Sequence, residues 1–257
     1  AGCNCRCKHC QNWEISQASV EELPDLGLGP AEVVSRAVAR GCPTVSFTYS
    51  DPIAFYEYMF DICLAARDRG LRTLCHTNGA MAAEPLLKLL EVLDAVTVDL
   101  KGFSERFYRD ICAMSLAPVL RTIRLIRGAR RHLELVNLMI PTFNDHSDEV
   151  REMCRWIAKE LGTDVPVHFN RFHPAHRLLK VPPTPRATLE QAHRIAKEEG
   201  LEYVYVGNMP GHKYNSTFCP KCQAELIHRH HFFSSIGKFE DGKCLSCGQA
   251  VPGIWKA

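Results

Sequence analysis

The sequence predicts an α/β fold: an open or closed barrel of parallel strands, followed by a small module held together by metal. Three observations lead there. Strand and helix patterns alternate from about residue 30 to residue 207. The predicted strands end in polar clusters, where such barrels carry their working residues. Near the C-terminus, two C-x2-C pairs stand 21 residues apart. The 257 residues therefore divide into an expected barrel, residues 1–212, and a module, residues 213–257.

Short β-branched or apolar runs mark strands at 44–49, 72–78, 95–101, 132–140, 165–172 and 203–207. Helical patterns lie around them. Residues 30–40 and 52–69 each start at proline and stop before Gly41 and Gly70, the usual punctuation of a helix. Further helices are expected at 84–93, 104–111, 116–130, 147–161 and 188–199. The strand ends carry Thr48-Tyr49-Ser50-Asp51, His76-Thr77-Asn78-Gly79, Asp99-Leu100-Lys101-Gly102, Asn137, and the run from His168 to His173. Strands buried on both faces should be apolar, so these polar ends need a reason. Asp51 before Pro52, and Ser147, suit helix N-caps. Asp99 and Lys101 alternate on one strand, so both point the same way and form a paired charge at the barrel mouth, suited to a ligand.

Lys and Arg number 31 against 29 Asp and Glu, a net charge of +2 that gives no reason to expect a nucleic-acid partner. No apolar run approaches the ~20 residues of a membrane span, and nothing reads as a signal peptide, so a cytoplasmic location is expected.

The 13 cysteines are an odd count that cannot all pair within the chain. Their grouping favours metal over disulfides in a reducing compartment. Cys219, Cys222, Cys244 and Cys247 form two knuckles of zinc-ribbon type, with an auxiliary iron–sulfur cluster as the rival occupant. The short segment around them cannot build a core, so the metal would supply its folding energy. His228, His230 and His231 read as a solvated basic edge.

At the other end, Cys3, Cys7 and Cys10 spell C-x3-C-x2-C. Three thiolates on a four-iron cluster leave one iron open. S-Adenosylmethionine can chelate that iron and be reduced to a 5′-deoxyadenosyl radical. Cys5 keeps two alternatives open, because four cysteines also suit zinc or a fully ligated cluster. Cys42, Cys63, Cys112 and Cys154 read as small core residues, and Cys75 lies within a strand. Only Ala1 and Gly2 precede Cys3, so the barrel's first strand is expected to be missing, leaving an open sheet edge beside the cysteines.

With these residues in view, the chain resembles the radical S-adenosylmethionine superfamily over nearly its whole length. Within that superfamily it resembles the AmmeMemoRadiSam-system radical enzyme, a relative of pyruvate formate-lyase activating enzymes. The resemblance rests on residues 2–16 (GCNCRCKHCQNWEIS), 46–52 (SFTYSDP), 94–103 (DAVTVDLKGF), 140–145 (IPTFND), 168–174 (HFNRFHP), 181–185 (VPPTP), 203–211 (YVYVGNMPG) and 251–255 (VPGIW).

It implies a partial or full TIM-like barrel with a C-terminal zinc ribbon. Cys3, Cys7 and Cys10 would be the cluster ligands. Tyr49, Ser50 and Asp51 stand where related enzymes carry a Gly-Gly-Glu turn that holds the cofactor's amino group. Asp99 and Lys101 match an Asp-Leu-Lys motif placed against the cofactor, and His173 resembles a histidine near its adenosyl part. Asn137, His168 and Arg171 join His173 as candidates for adenosyl or substrate contacts. Cys5 and His9 replace aromatic residues, Asp51 is one methylene shorter than the usual Glu, and Gln223 replaces a knuckle glycine.

The implied activity is reductive cleavage of S-adenosylmethionine followed by hydrogen abstraction from a substrate. The implied partners are an electron donor such as flavodoxin or ferredoxin, and a protein of the Memo or AMMECR1 type. The nearest alternative is a glycyl-radical activase acting on a protein glycine. An alternative of another class is a non-catalytic zinc-binding interaction module.

Overall fold

A computed structural model describes residues 1–24 and 26–255. The helices are α1 (Trp13–Ser16), α2 (Pro30–Ala39), α3 (Tyr56–Asp68), α4 (Ala83–Leu90), α5 (Glu105–Phe107), α6 (Leu116–Gly128), α7 (Ser147–Glu160) and α8 (Arg186–Glu198). Six strands, β1 (Thr44–Phe47), β2 (Arg72–Thr77), β3 (Ala95–Asp99), β4 (His132–Met139), β5 (Val167–Arg171) and β6 (Val204–Gly207), form one parallel sheet in sequence order. The barrel is partial: among the described residues no strand pairs with the outer edge of β1 or of β6.

Strand parity sorts the side chains. On β4, Leu133, Leu135 and Met139 are buried toward the helices, while Val136 and Leu138 line the concave interior. The helices seal the convex face with apolar stripes. On α7, Val150, Met153, Cys154 and Ile157 recur at helical spacing and are all buried. A side chain such as Ile157 contributes about 1.5–3 kcal/mol through burial, and Ile157→Ala costs about 2–5 kcal/mol.

Two predicted helices take a different form. The segment at 52–69 opens as a 3-10 turn, Pro52–Phe55, capped by Asp51, whose Oδ1 accepts the Ile53 N–H at 3.1 Å. The helix expected at 104–111 is only α5, followed by a π turn, Tyr108–Cys112, that ends at Ala113 in the left-handed region (φ 55°). Carbonyls at a helix C-terminus lack intrahelical partners. Here those of Cys112 and Ile111 accept the N–H groups of Arg6 (3.1 Å) and Lys8 (2.9 Å), which pins the N-terminal cysteine loop to the barrel. Ser147 does not act as the expected cap: α7 begins on it, and its Oγ instead accepts from Gln191 Nε2 at 2.8 Å.

The C-terminal segment forms a three-stranded antiparallel sheet, β7 (Thr217–Phe218), β8 (Glu225–His230) and β9 (Phe233–Ile236), and a hairpin, β10 (Phe239–Glu240) with β11 (Lys243–Cys244). Residues 251–255 lie under the sheet, where Ile254 and Trp255 share a cavity of about 450 Å³ with Thr44, Arg72 and Ala95 at the strand starts. No helix among the described residues is long and apolar enough to cross a membrane.

Candidate functional site

The C-terminal ends of the strands open into a cleft of about 340 Å³. Cys3, Cys5, Cys7 and Cys10 form one wall, with Tyr49, Ser50, Asp51, His76, Asn78, Asp99, Lys101, Asn170 and Asn208 around them. The loop is held from several sides. Gly2 donates to the Ile15 carbonyl at 3.0 Å and accepts from Asp51 N–H at 3.3 Å. Asn78 Nδ2 donates to Asn4 Oδ1 at 2.7 Å and approaches Cys3 Sγ at 3.6 Å, and Cys10 Sγ lies 3.3 Å from Ser16 Oγ.

Asp99 is the charged centre. Its Oδ2 accepts from Lys101 Nζ at 2.8 Å and its Oδ1 meets His76 Nε2 at 2.9 Å. These groups lie deep in the barrel but open on the cleft, and the Asp99 side chain is 28% exposed. Burial opposes ionisation of Asp99, but Lys101 and His76 outweigh it and hold the carboxyl below the usual carboxylate range. Burial likewise opposes the charged form of His76, and Asp99 outweighs it, raising His76 above the ordinary histidine value.

Supports stand behind this strand end. The Lys101 carbonyl accepts from Asn144 Nδ2 at 2.7 Å, and its N–H donates to Tyr108 Oη at 3.0 Å. Asn137 Nδ2 donates to the Leu100 carbonyl at 2.8 Å. The IPTFND segment thus acts as a brace for Asp99 and Lys101. Thr184, in the VPPTP segment, joins β4 to β5: its Oγ1 donates to Met139 O at 2.6 Å and accepts Phe172 N–H at 2.8 Å.

Cys5 is buried, with its Sγ 3.0 Å from Met114 Sδ. Cys7 sits with His9 and Cys112, their ligand atoms all within 4.8 Å of one another. Burial pushes His9 down to about 4 and keeps it neutral, and its Nδ1 has no hydrogen-bond partner. Cys3, Cys7 and Cys10 do not converge on a single point. A four-iron cluster does not require that, because it presents a separate iron to each thiolate. Three thiolates along one wall of an open cleft fit such a group.

The C-terminal cysteines do converge. All four sulfurs lie within 4.8 Å of one another, with Cys219 and Cys247 at 3.5 Å and Cys222 and Cys244 at 3.6 Å. The two knuckles share one hydrogen-bond pattern. Cys219 N–H donates to Ala224 O and Gln223 N–H to Cys219 O, both at 2.9 Å. In the second knuckle Cys244 N–H donates to Gln249 O at 2.9 Å and Gly248 N–H to Cys244 O at 2.8 Å. Gly248 has φ +73°, and Gln223 holds the matching place at φ +59°, so the turn forms without glycine. Four convergent thiolates fit a single tetrahedral ion.

The predicted site residues divide sharply. Cys3, Cys7, Cys10, Tyr49, Ser50, Asp51, Asp99 and Lys101 meet in the cleft. Tyr49 takes φ +80°, a conformation that favours glycine, which accounts for the glycine of related turns. The Asp51 carboxylate is already engaged by Ile53 N–H, Thr77 Oγ1 (3.1 Å) and Asn78 N–H (2.7 Å).

Asn137 is placed differently from expectation: it is buried on the helix side of β4, beside Met153. His173 lies past the end of β5, exposed and away from the cleft. Arg171 turns to the Thr184 carbonyl (2.9 Å), and His168 pairs with Glu134 (2.7 Å) below the cleft. Sequence reasoning missed Asn170 and Asn208 as lining residues and the bond from His76 to Asp99. Counting parity from Asp99 to Lys101 and from His168 to Asn170 would have found the first of these. Gly207 opposite Asn170 is a further sign, since a Cβ there would overlap the Asn170 side chain.

Comparisons with known proteins agree with this geometry. Residues 1–157 match the Radical SAM superfamily. The chain is 43% identical over 252 residues to the uncharacterized protein MJ0808 of Methanocaldococcus jannaschii, covering 97% of this chain and 75% of that one. It is 21% identical over 222 residues to pyruvate formate-lyase 1-activating enzyme of Escherichia coli K12, covering 79% and 89%. The corresponding Listeria monocytogenes enzyme is 22% identical over 168 residues, covering 61% of this chain and 66% of the enzyme. In fold, a domain of the Bacteroides vulgatus pyruvate-formate lyase-activating enzyme aligns with a TM-score of 0.57 at 17% identity, covering 64% of this chain and 98% of that domain. Streptococcus suis SuiB aligns at 0.64 and 8% identity, and this chain spans only 47% of its length. The chain belongs to the radical SAM superfamily and is related to pyruvate formate-lyase activating enzymes.

Proposed function

We propose that Cys3, Cys7 and Cys10 hold a four-iron, four-sulfur cluster, and that S-adenosylmethionine binds beside it in the cleft. When bound, these groups supply reductive cleavage of the sulfonium carbon–sulfur bond and hydrogen abstraction by the resulting 5′-deoxyadenosyl radical. The observation that carries this reading is that the three motif cysteines and the Asp99–Lys101 pair open on one cleft.

The protein's own groups bind and orient. Lys101 offers a cation and Asp99 an anion to a zwitterionic cofactor, and His76 fixes the second oxygen of Asp99. Asp51 holds the Asn78 backbone, which keeps Asn78 against Cys3 and Asn4. The buried cap role of Asp51 limits its reach to the cofactor's amino group.

We further propose that residues 213–257 form a zinc-held module on a barrel of residues 1–212. The motifs of residues 140–145, 181–185 and 203–211 support the AmmeMemoRadiSam assignment, with a flavodoxin or ferredoxin as electron donor and a Memo-type or AMMECR1-type partner. A cytoplasmic setting suits a chain with so many free thiols. The relation to activating enzymes favours a second reading, activation of a glycyl-radical enzyme.

The test is anaerobic reconstitution with iron and sulfide, addition of S-adenosylmethionine and a strong reductant, and chromatography for 5′-deoxyadenosine. Its formation is expected. Its absence from a protein loaded with iron sinks the proposal, and zinc in both cysteine groups without iron makes the chain a binding module.

A further inference from the structure

A second cleft, of about 500 Å³, adjoins the cysteine cleft and shares Asn208 with it. Its inner wall is the concave face of the sheet, where the His168 ring stacks on Tyr205 at 4.8 Å. Its outer wall comes from the C-terminal module: Arg229 on β8, then His231 and Phe232 in the turn before β9. Arg229 lies 5.7 Å over the Tyr205 ring, and its Nη1 donates to Thr217 Oγ1 at 2.6 Å. The module is thus fastened to the barrel by residues that also wall the cleft.

The turn and β9 also expose apolar side chains. Phe232 is wholly exposed (103%), Phe233 is 80% exposed and Ile236 is 66% exposed. The outer edge of β9 has no strand partner among the described residues. Exposed aromatic groups beside an unpaired strand edge suit a polypeptide. Edge N–H and C=O groups take up an extended segment, and apolar side chains anchor it. Charge selects among polypeptides. The fixed charges here are Arg229 and Lys238 against Glu225 and Glu134, and both carboxylates are already engaged, Glu225 by His228 at 2.9 Å and Glu134 by His168 at 2.7 Å.

We propose that the second cleft and the β9 edge dock a polypeptide substrate, an acidic segment with an apolar anchor. The segment lies along β9 and leads the residue to be modified past Asn208 into the cysteine cleft. A small metabolite would use neither the strand edge nor the aromatic rim. The proposal relies on the radical reading for its purpose and not for the binding itself.

The test pans the full-length protein, reconstituted anaerobically, against a displayed library of random linear peptides. A selected peptide is then titrated into wild type, Phe232→Ser/Phe233→Ser and Arg229→Gln. Enrichment of Asp or Glu beside Phe, Leu or Ile is expected. The Phe double variant should weaken binding about tenfold or more. Amide exchange at residues 233–236 should slow when peptide binds. Metal content at the four C-terminal cysteines and peptide-free 5′-deoxyadenosine formation should match wild type in the Phe double variant, which shows that it folds.

No enrichment, affinity unchanged in both variants, or protection confined to another face overturns the proposal. Filling of the cleft by a small carboxylate such as succinate, with no peptide selected, also overturns it and gives the cleft to a small molecule. Loss of 5′-deoxyadenosine formation in wild type strikes the radical reading and leaves the peptide result standing.

Discussion

The two ends of the chain each present four clustered cysteines, and they use them in opposite ways. At the C-terminus the four sulfurs face inward on one point, and matching turns hold them there. That site is closed and leaves no position for a ligand. At the N-terminus the cysteines lie along the wall of a cleft, beside an anion and a cation that face the same space. Both groups could be described as metal-binding cysteines. The difference in convergence, and the charged cleft beside the N-terminal group, separates a metal that holds a fold from one that meets a second molecule.

The sharpest way to break this comparison is to remove each group separately. Cys219→Ser with Cys247→Ser should release the C-terminal metal and unfold residues 213–255, since a short metal-held segment owes about 10 kcal/mol or more to its ion. Fast amide exchange confined to β7–β11 would show it, with iron still bound at the other end. Replacing Cys3, Cys7 and Cys10 with Ser should abolish 5′-deoxyadenosine while the melting of β7–β11 stays unchanged. Crossed results would merge the two sites into one.

A smaller effect is expected at the charged pair. Asp99→Asn should weaken S-adenosylmethionine binding about tenfold or more, the loss of one charge-assisted contact, read by equilibrium dialysis on the reconstituted protein. Unchanged affinity would remove Asp99 from the cofactor site. The His76–Asp99 contact sets a pH dependence. Because His76 is raised, its stabilising contribution is fully present below the ordinary histidine value of about 6.5 and is lost as pH rises through the higher folded value. The denaturation midpoint of wild type should therefore fall on the alkaline side relative to His76→Gln. Parallel curves would mean that the pair contributes nothing.

The knuckles offer the smallest effect. Gln223→Gly relieves a left-handed residue that costs about 1–2 kcal/mol, less the ~0.5–1 kcal/mol of chain entropy that glycine loses, so a gain of about 0–1.5 kcal/mol is expected. Gly248→Ala, at the matching place in the other knuckle, should destabilise by the same net amount, about 0–1.5 kcal/mol. Chemical denaturation measures both, and equal effects of the same sign would refute the equivalence of the two turns.

Much of this was readable in the amino-acid sequence. The strand bounds agree to within a few residues because each strand is short, apolar and followed by a polar turn or a helix start. The Asp99–Lys101 pair was legible because the alternation of β3 carries past its last residue, Asp99, to Lys101. Asn137 was misplaced for want of the same count: in His132–Met139 it alternates with Leu133, Leu135 and Met139, all of which face the helices. His173 was misplaced for the same reason: two residues past β5, it keeps the parity of the buried Val167 and Phe169, opposite to that of Asn170, which lines the cleft. The π turn at Tyr108–Cys112 was not legible, since nothing local distinguishes it from an ordinary helix end. Its reason is tertiary: its free carbonyls receive the cysteine loop. The exposed β9 hairpin was also missed, because its histidines were read as a solvated edge and its two phenylalanines were left unexplained.

Cys5 carries the central claim, since it lies inside the motif and is assigned no iron. It shares the cleft wall with Cys3, Cys7 and Cys10, but it is the more deeply buried and packs its Sγ against Met114 Sδ at 3.0 Å. The direct measurement is iron per chain after anaerobic reconstitution of Cys5→Ala and Cys7→Ala. The account predicts about four irons in Cys5→Ala, the content of one cubane cluster, and almost none at this site in Cys7→Ala. Loss of iron from Cys5→Ala to the level of Cys7→Ala would contradict it.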